Sequence, residues 1–242
     1  MQHLIVIAIG RSGSTLLNGV LNSSSSVLMR GENQLFLNHL AQAYLGLKKS
    51  VALDTSGKPT SPHFGASEFN LYEWLRVQES ATNALLLGSN DQGRLKILGF
   101  KEIRFIELSS DELVDHLCFL EALFPGYKII YHHRNFNEIA NSEWWREFEE
   151  SSLVSKFREF EEFTLSYLTN NFSDRFLITN FELLLEDPAE TINQLTNFLS
   201  VDFNIDHVLK VLTKPHSYKS DAVPQLRGIK NVDLFPTLSR NF

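Results

Sequence analysis

A chain of 242 residues with 43% hydrophobic content carries enough apolar material for one full core. Its formal net charge of −7 disfavours a nucleic-acid partner, which needs a basic face. The single cysteine, Cys118, rules out an intrachain disulfide framework, and with neither CxxC nor HExxH present the spacing predicts no metal site.

Met1-Gln2-His3 is not a basic leader, and Leu4–Ile9 is too short for the apolar segment of a secretory signal. No run approaches the length of a membrane span, so the expected location is cytoplasmic. Ile5–Ile9 is apolar and β-branched and predicts a buried strand. Gly10-Arg11-Ser12-Gly13-Ser14-Thr15 follows, and then Leu16, Leu17, Val20 and Leu21 at helical spacing. Strand, tight loop and helix make a phosphate cradle. Glycines let the backbone approach an anion, N–H groups at the helix start point at it, and the helix dipole favours negative charge there. The loop lacks the Gly-Lys-Ser/Thr of a magnesium–triphosphate loop, and its one cation is Arg11. It therefore suits a phosphate or a sulfate.

Val27–Met29 predicts a short strand and Leu35–Leu47 a helix. Residues 48–66 show little periodicity, and 48–70 are expected to form a substrate loop or lid. Helical spacing resumes over Phe69–Leu87. Leu95–Phe100, Tyr127–Tyr131 and Arg175–Thr179 read as strands. Between them lie helices predicted over Asp111–Phe124, Asn137–Ser142 and Glu143–Leu168, with Pro188–Leu199 after the last strand. Ser109 or Ser110 caps the first of these, Pro125-Gly126 stops it, and Asp187-Pro188 opens the last. Cys118, on an apolar helical stretch, is expected to be a buried small hydrophobe. Strands alternating with helices predict one α/β domain over 1–242, a three-layer α/β/α arrangement with a mainly parallel sheet. Ligands of such sheets sit at the C-terminal strand ends.

A second anion site is predicted where Tyr127–Tyr131 runs through His132-His133 into Arg134, with Ser142 eight residues further on. His132 and His133 point to opposite faces by strand alternation, and wall or core roles are expected for both.

Together these two elements resemble the sulfotransferases that use 3′-phosphoadenosine-5′-phosphosulfate (PAPS). Arg11, Ser12, Gly13, Ser14 and Thr15 match the family's 5′-phosphosulfate loop, and Arg134 with Ser142 matches its Arg-x7-Ser grip on the 3′-phosphate. Phe181–Pro188, with Phe198-Leu199 after it, resembles the family's structural segment. The resemblance covers residues 4 to about 200 and implies a P-loop nucleotide-hydrolase-like fold. Lys101 matches the lysine of the cytosolic branch, but Ile103 stands where its histidine base would be, and the C-terminal Arg-Lys-Gly signature is missing. The chain is more similar to the tyrosylprotein and carbohydrate sulfotransferases with a glutamate base. The tyrosylprotein spacing of 21 residues after the loop arginine leads from Arg11 to Glu32, within Gly31-Glu32.

The resemblance implies sulfuryl transfer from PAPS, leaving adenosine 3′,5′-bisphosphate (PAP), to a small-molecule, carbohydrate, lipid or peptide acceptor. Glu32 would be the base, and Arg11 and Lys101 would offset developing charge, with no metal. Plainer roles stay open. Glu32 can serve the first turn of the helix from Leu35, and Lys101 can pair with Glu102 or Glu107. Trp144, Trp145 and Phe148 can stack on an acceptor, though core packing is expected. Lys214, His216, Tyr218, Lys219 and Arg227 form a basic cluster that either closes over the 3′-phosphate or is solvated. The rival readings are a nucleotide-dependent kinase on the same fold and a non-catalytic nucleotide binder.

Overall fold

The structure, a computed structural model, describes residues 1–213. Five strands form one sheet: β1 (Gln2–Ala8), β2 (Val27–Arg30), β3 (Ile97–Glu102), β4 (Lys128–His133) and β5 (Phe176–Asn180). Their spatial order is β2-β3-β1-β4-β5, and every neighbouring pair is parallel. Parallel pairing requires crossovers, and the helices that make them cover both faces. That is the predicted α/β layout.

β1 is the middle strand, so both of its faces are covered, and Leu4 to Ala8 are buried throughout. Burying each large aliphatic side chain is worth about 1.5–3 kcal/mol, which makes this strand a rigid base for the loop after it. Strand alternation divides the core. Ile5 and Ile7 face one cluster with Phe100, Ile129 and Tyr131, and Leu4 and Val6 face the other with Ile97 and Ile130. The first face is covered by α2 (Phe36–Leu53), α3 (Leu71–Leu87), α4 (Ser110–Leu123) and α6 (Glu150–Asn171). The second is covered by α1 (Ser14–Leu21), α7 (Phe181–Glu186), α8 (Pro188–Leu199) and α9 (Ile205–Leu212). The short α5 (Phe136–Ala140) follows β4.

Local signals set several boundaries. Ser109 caps α4 in a full capping box with Glu112. Asp187 caps α8 by accepting from the Glu190 N–H, with Pro188 in the first turn. Two expectations need correction. α2 runs to Leu53, so residues 48–53 are helical and the irregular segment is 54–70, containing a single 3-10 turn at Ala66–Glu68. Cys118 is exposed, its sulfur 3.5 Å from the Tyr167 hydroxyl, because Leu117, Phe119 and Leu120 take the buried positions of α4 and turn residue 118 outward. No helix among the described residues is long and apolar enough to cross a membrane. The basic cluster from Lys214 to Arg227 lies outside the described residues.

Candidate active site

The sheet register brings four chain segments to one end. Val6 is level with Lys101, Ala8 with His132, and His132 with Thr179. Beyond Ala8 the Ser12 N–H donates to the Ile9 carbonyl at 3.1 Å and closes a turn. Arg11 (φ 74°) and Gly13 (φ 83°) both adopt the left-handed conformation. α1 starts at Ser14 with no side-chain cap, and while the Leu16 N–H donates to the Gly13 carbonyl at 2.9 Å, the N–H groups of Ser14 and Thr15 at the helix start suit an anion. Ser12 and Ser14 are buried in the loop, and Arg11 and Thr15 are exposed at its rim. Gly13 is required twice over. Its φ is costly for any other residue, and a Cβ there would lie 2.2 Å from the Phe181 ring.

Phe181, at the start of α7, joins this loop to the second predicted anion site. The Arg134 guanidinium lies over the Phe181 ring, 4.4 Å from its centroid, and its Nη1 donates to the Arg11 carbonyl at 2.9 Å. The two arginine-bearing loops are therefore in direct contact. Glu182 holds the backbone beside Arg134 by accepting from the Asn135 N–H at 3.0 Å. Ser142 lies just past α5, not on it. The helix ends at Ala140, and the Ser142 N–H turns back to the Ile139 carbonyl at 3.0 Å. Three polar atoms on these loops, Ser12 Oγ, Arg134 Nε and Ser142 Oγ, are buried without a hydrogen-bond partner. A buried polar atom without a partner calls for an explanation, and a bound polar ligand is one.

The two histidines of β4 are walls, as expected. His132 is buried with Nδ1 2.9 Å from the Thr179 hydroxyl, and burial above all holds its pKa down to about 3. His133 faces the other side, where a 2.6 Å bond to Glu161 raises its pKa.

Glu32 and Lys101 meet in a salt bridge. Lys101 is almost fully buried at the end of β3, and the Glu32 side chain keeps 30% of its surface open. Glu32 takes no part in α2, whose first turn contains no acid, and Lys101 pairs with neither Glu102 nor Glu107. Glu102 was not singled out in the sequence. Its carboxylate is fully buried and accepts from four backbone N–H groups: Asn33 and Leu35 at 3.0 and 3.1 Å on Oε2, and Ile103 and Arg104 at 2.8 and 3.1 Å on Oε1. The signal available was an acid ending a strand otherwise buried on both faces, next to the lysine. The four donors fill the acceptor sites of this carboxylate.

The aromatic trio divides. Trp145 packs on Phe157 with centroids 5.4 Å apart and donates from Nε1 to the Gly10 carbonyl at 3.1 Å, tying itself to the first loop. Trp144 and Phe148 contradict the expected core role and stand 48% and 59% exposed, while Trp145, in the 3-10 turn of residues 143–145, is half-buried.

Residues 3–204 match the family described as "Sulfotransferase family". No curated protein matches the chain. Among solved structures, the fold is similar to the sulfotransferase domain of the Synechococcus PCC 7002 olefin synthase. That match has a TM-score of 0.58 at 19% identity and covers 93% of this chain and 82% of that one. A sulfotransferase domain from the curacin biosynthetic pathway gives 0.53 at 17% identity over 90% and 80%. A sulfotransferase from Alicyclobacillus acidocaldarius gives 0.52 at 14% identity over 93% and 90%. At these identities the likeness establishes the P-loop-like fold.

Proposed function

We propose, from the premise that this chain belongs to the sulfotransferase family, that it moves a sulfuryl group from PAPS to an acceptor hydroxyl or amine, with Glu32 as general base. PAPS supplies the sulfuryl group, which passes in line to the acceptor. The observation that carries this reading is the bond that joins the loops of Arg134 and Arg11, with Ser12 Oγ and Arg134 Nε orphaned on those loops and Ser142 Oγ orphaned just past α5. A nucleotide with phosphates at both its 3′ and 5′ positions satisfies both loops at once.

Each residue has a role. The backbone of Gly13, Ser14 and Thr15, with the Ser12 hydroxyl, holds the 5′-phosphate at the N-terminus of α1. Arg134 and Ser142 hold the 3′-phosphate, Arg134 kept flat by the Phe181 ring. Arg11 and Lys101 offset negative charge that develops during transfer. Glu32 takes the acceptor proton, and its partial exposure lets an acceptor hydroxyl or amine reach it in competition with Lys101. The exposed rings of Trp144 and Phe148, next to the Trp145 ring that is bonded to Gly10, offer the acceptor side of the site.

Thermal unfolding with PAP against ATP–magnesium tests the reading. Saturation at about 100 times Kd stabilises by about 2.7 kcal/mol, roughly 5–11 °C for a chain of this size. PAP should give that shift and ATP–magnesium none, and the reverse pattern would sustain the kinase reading instead. Transfer of labelled sulfate from PAPS to a panel of a phenol, a sugar, a fatty alcohol and a tyrosyl peptide then separates an enzyme from a binder.

A further inference from the structure

We infer that Glu102 is a positioning residue, whose buried carboxylate fixes the loop carrying Glu32 so that Glu32 meets the acceptor in one place. The inference rests on the reading of Glu32 as the base. Adjacent residues of β3 grip the loop from both sides of the strand: Lys101 pairs with Glu32, and Glu102 binds the backbone of Asn33 and Leu35. The loop needs such a grip. Gln34 and Leu35 are consecutive non-glycine residues at φ 59° and 54°. Left-handed residues of this kind are strained, so the turn persists only where surrounding contacts impose it. The N–H groups of Asn33 and Leu35 converge on one carboxylate oxygen, a backbone nest around an anion that supplies that constraint.

The four donors match the acceptor capacity of a carboxylate and of no uncharged substitute. A glutamine at 102 has one acceptor oxygen and sets its NH2 against two backbone N–H groups, so one donor pair is orphaned. Ile103 and Arg104 follow residue 102 directly in the chain and keep its oxygen within reach, so the pair that lets go is the one in the strained loop, 67 and 69 positions away. Glu32 then loses its fixed position while Lys101 and both phosphate loops stay where they are.

The test compares Glu102→Gln and Glu102→Asp with the parent protein by amide hydrogen exchange at residues 33 and 35, PAP binding by calorimetry, and PAPS turnover with the acceptor panel. Glu102→Gln should speed exchange at these amides at least tenfold and cut turnover about a hundredfold, the scale of a displaced catalytic group, with PAP affinity changed less than about threefold. Glu102→Asp keeps the charge but falls short of the loop and should lie between. It carries the test if the glutamine variant does not fold. Unchanged exchange at 33 and 35, or equal losses in turnover and PAP affinity, would overturn the assignment. Glu32→Gln run in parallel separates the two ideas. If it retains turnover the base reading fails, and the exchange result still decides whether Glu102 holds the loop.

Discussion

Gly13→Ala probes the contact that joins the two anion loops. The added Cβ would lie 2.2 and 2.3 Å from Cδ2 and Cε2 of Phe181. Non-bonded carbons sit about 3.5–4.0 Å apart, so the ring must retreat by more than about 1 Å. Residue 13 is also held at φ 83°, which costs an alanine about 1–2 kcal/mol. A displaced ring leaves the Arg134 guanidinium, now 4.4 Å above it, and forfeits a cation–π contact worth about 1–2 kcal/mol. The φ cost falls on free and bound protein alike and lowers stability, so binding loses only the Arg134 contact, roughly 5- to 30-fold in PAP affinity measured by calorimetry. A double-mutant cycle isolates the clash. In a Phe181→Leu background the ring contact is already gone, and Gly13→Ala should change PAP affinity by less than about threefold. Normal PAP binding by Gly13→Ala, or the same penalty in both backgrounds, would refute the reasoning.

Glu32→Gln should leave PAP affinity within about twofold and lower turnover by about 10²- to 10⁴-fold, the usual contribution of a general base. A loss confined to binding would make Glu32 structural. Arg11→Ala should cost about 10²- to 10³-fold in turnover, the range for one charge-stabilising group, and near-normal rates would remove it from the site. Stability should fall in acid. Burial holds His132 and His116 neutral in the fold, with pKa values down to about 3 and about 4, while the unfolded chain takes up protons below 6.5. Their contribution is therefore full above pH 6.5 and lost as pH falls, each by about 1.4 kcal/mol per pH unit. His133, raised by Glu161, works in the opposite sense and loses its contribution as pH rises through its folded value. Urea unfolding should show lower stability at pH 5 than at pH 7, and a flat or inverted profile would contradict the assignment.

Features written into neighbouring residues were legible in the sequence, and those made by distant partners were not. β1, the glycine loop and α1 follow from one apolar run, two glycines and helical spacing within 20 residues. The caps Ser109 and Asp187 are equally local. The extension of α2 to Leu53 was missed because Lys48, Lys49 and Ser50 interrupt the apolar pattern without breaking the helix. The reading of Cys118 failed because burial depends on which face of α4 meets the sheet, and residue 118 is on the outer one. Arg11, Glu32, Lys101, Arg134 and Ser142 were singled out by motif spacing, and the fold joins Glu32 to Lys101 and Arg134 to the first loop. Glu102 escaped because its partners in the loop lie 67 and 69 positions away, and no local pattern marks a carboxylate that binds backbone alone. Phe181 was read only as part of a structural segment. Its packing against Gly13 and Arg134 depends on β5 arriving next to β4.

The central claim is that both loops grip one nucleotide, and the contribution of its 3′-phosphate measures this directly. Calorimetry should show PAP binding the parent protein at least about a hundredfold more tightly than adenosine 5′-monophosphate, as expected for a phosphate held by a charge-assisted pair. Arg134→Ala with Ser142→Ala should abolish that preference and leave the monophosphate affinity nearly unchanged. Equal losses for the two nucleotides, or a parent protein that does not distinguish them, would contradict the account.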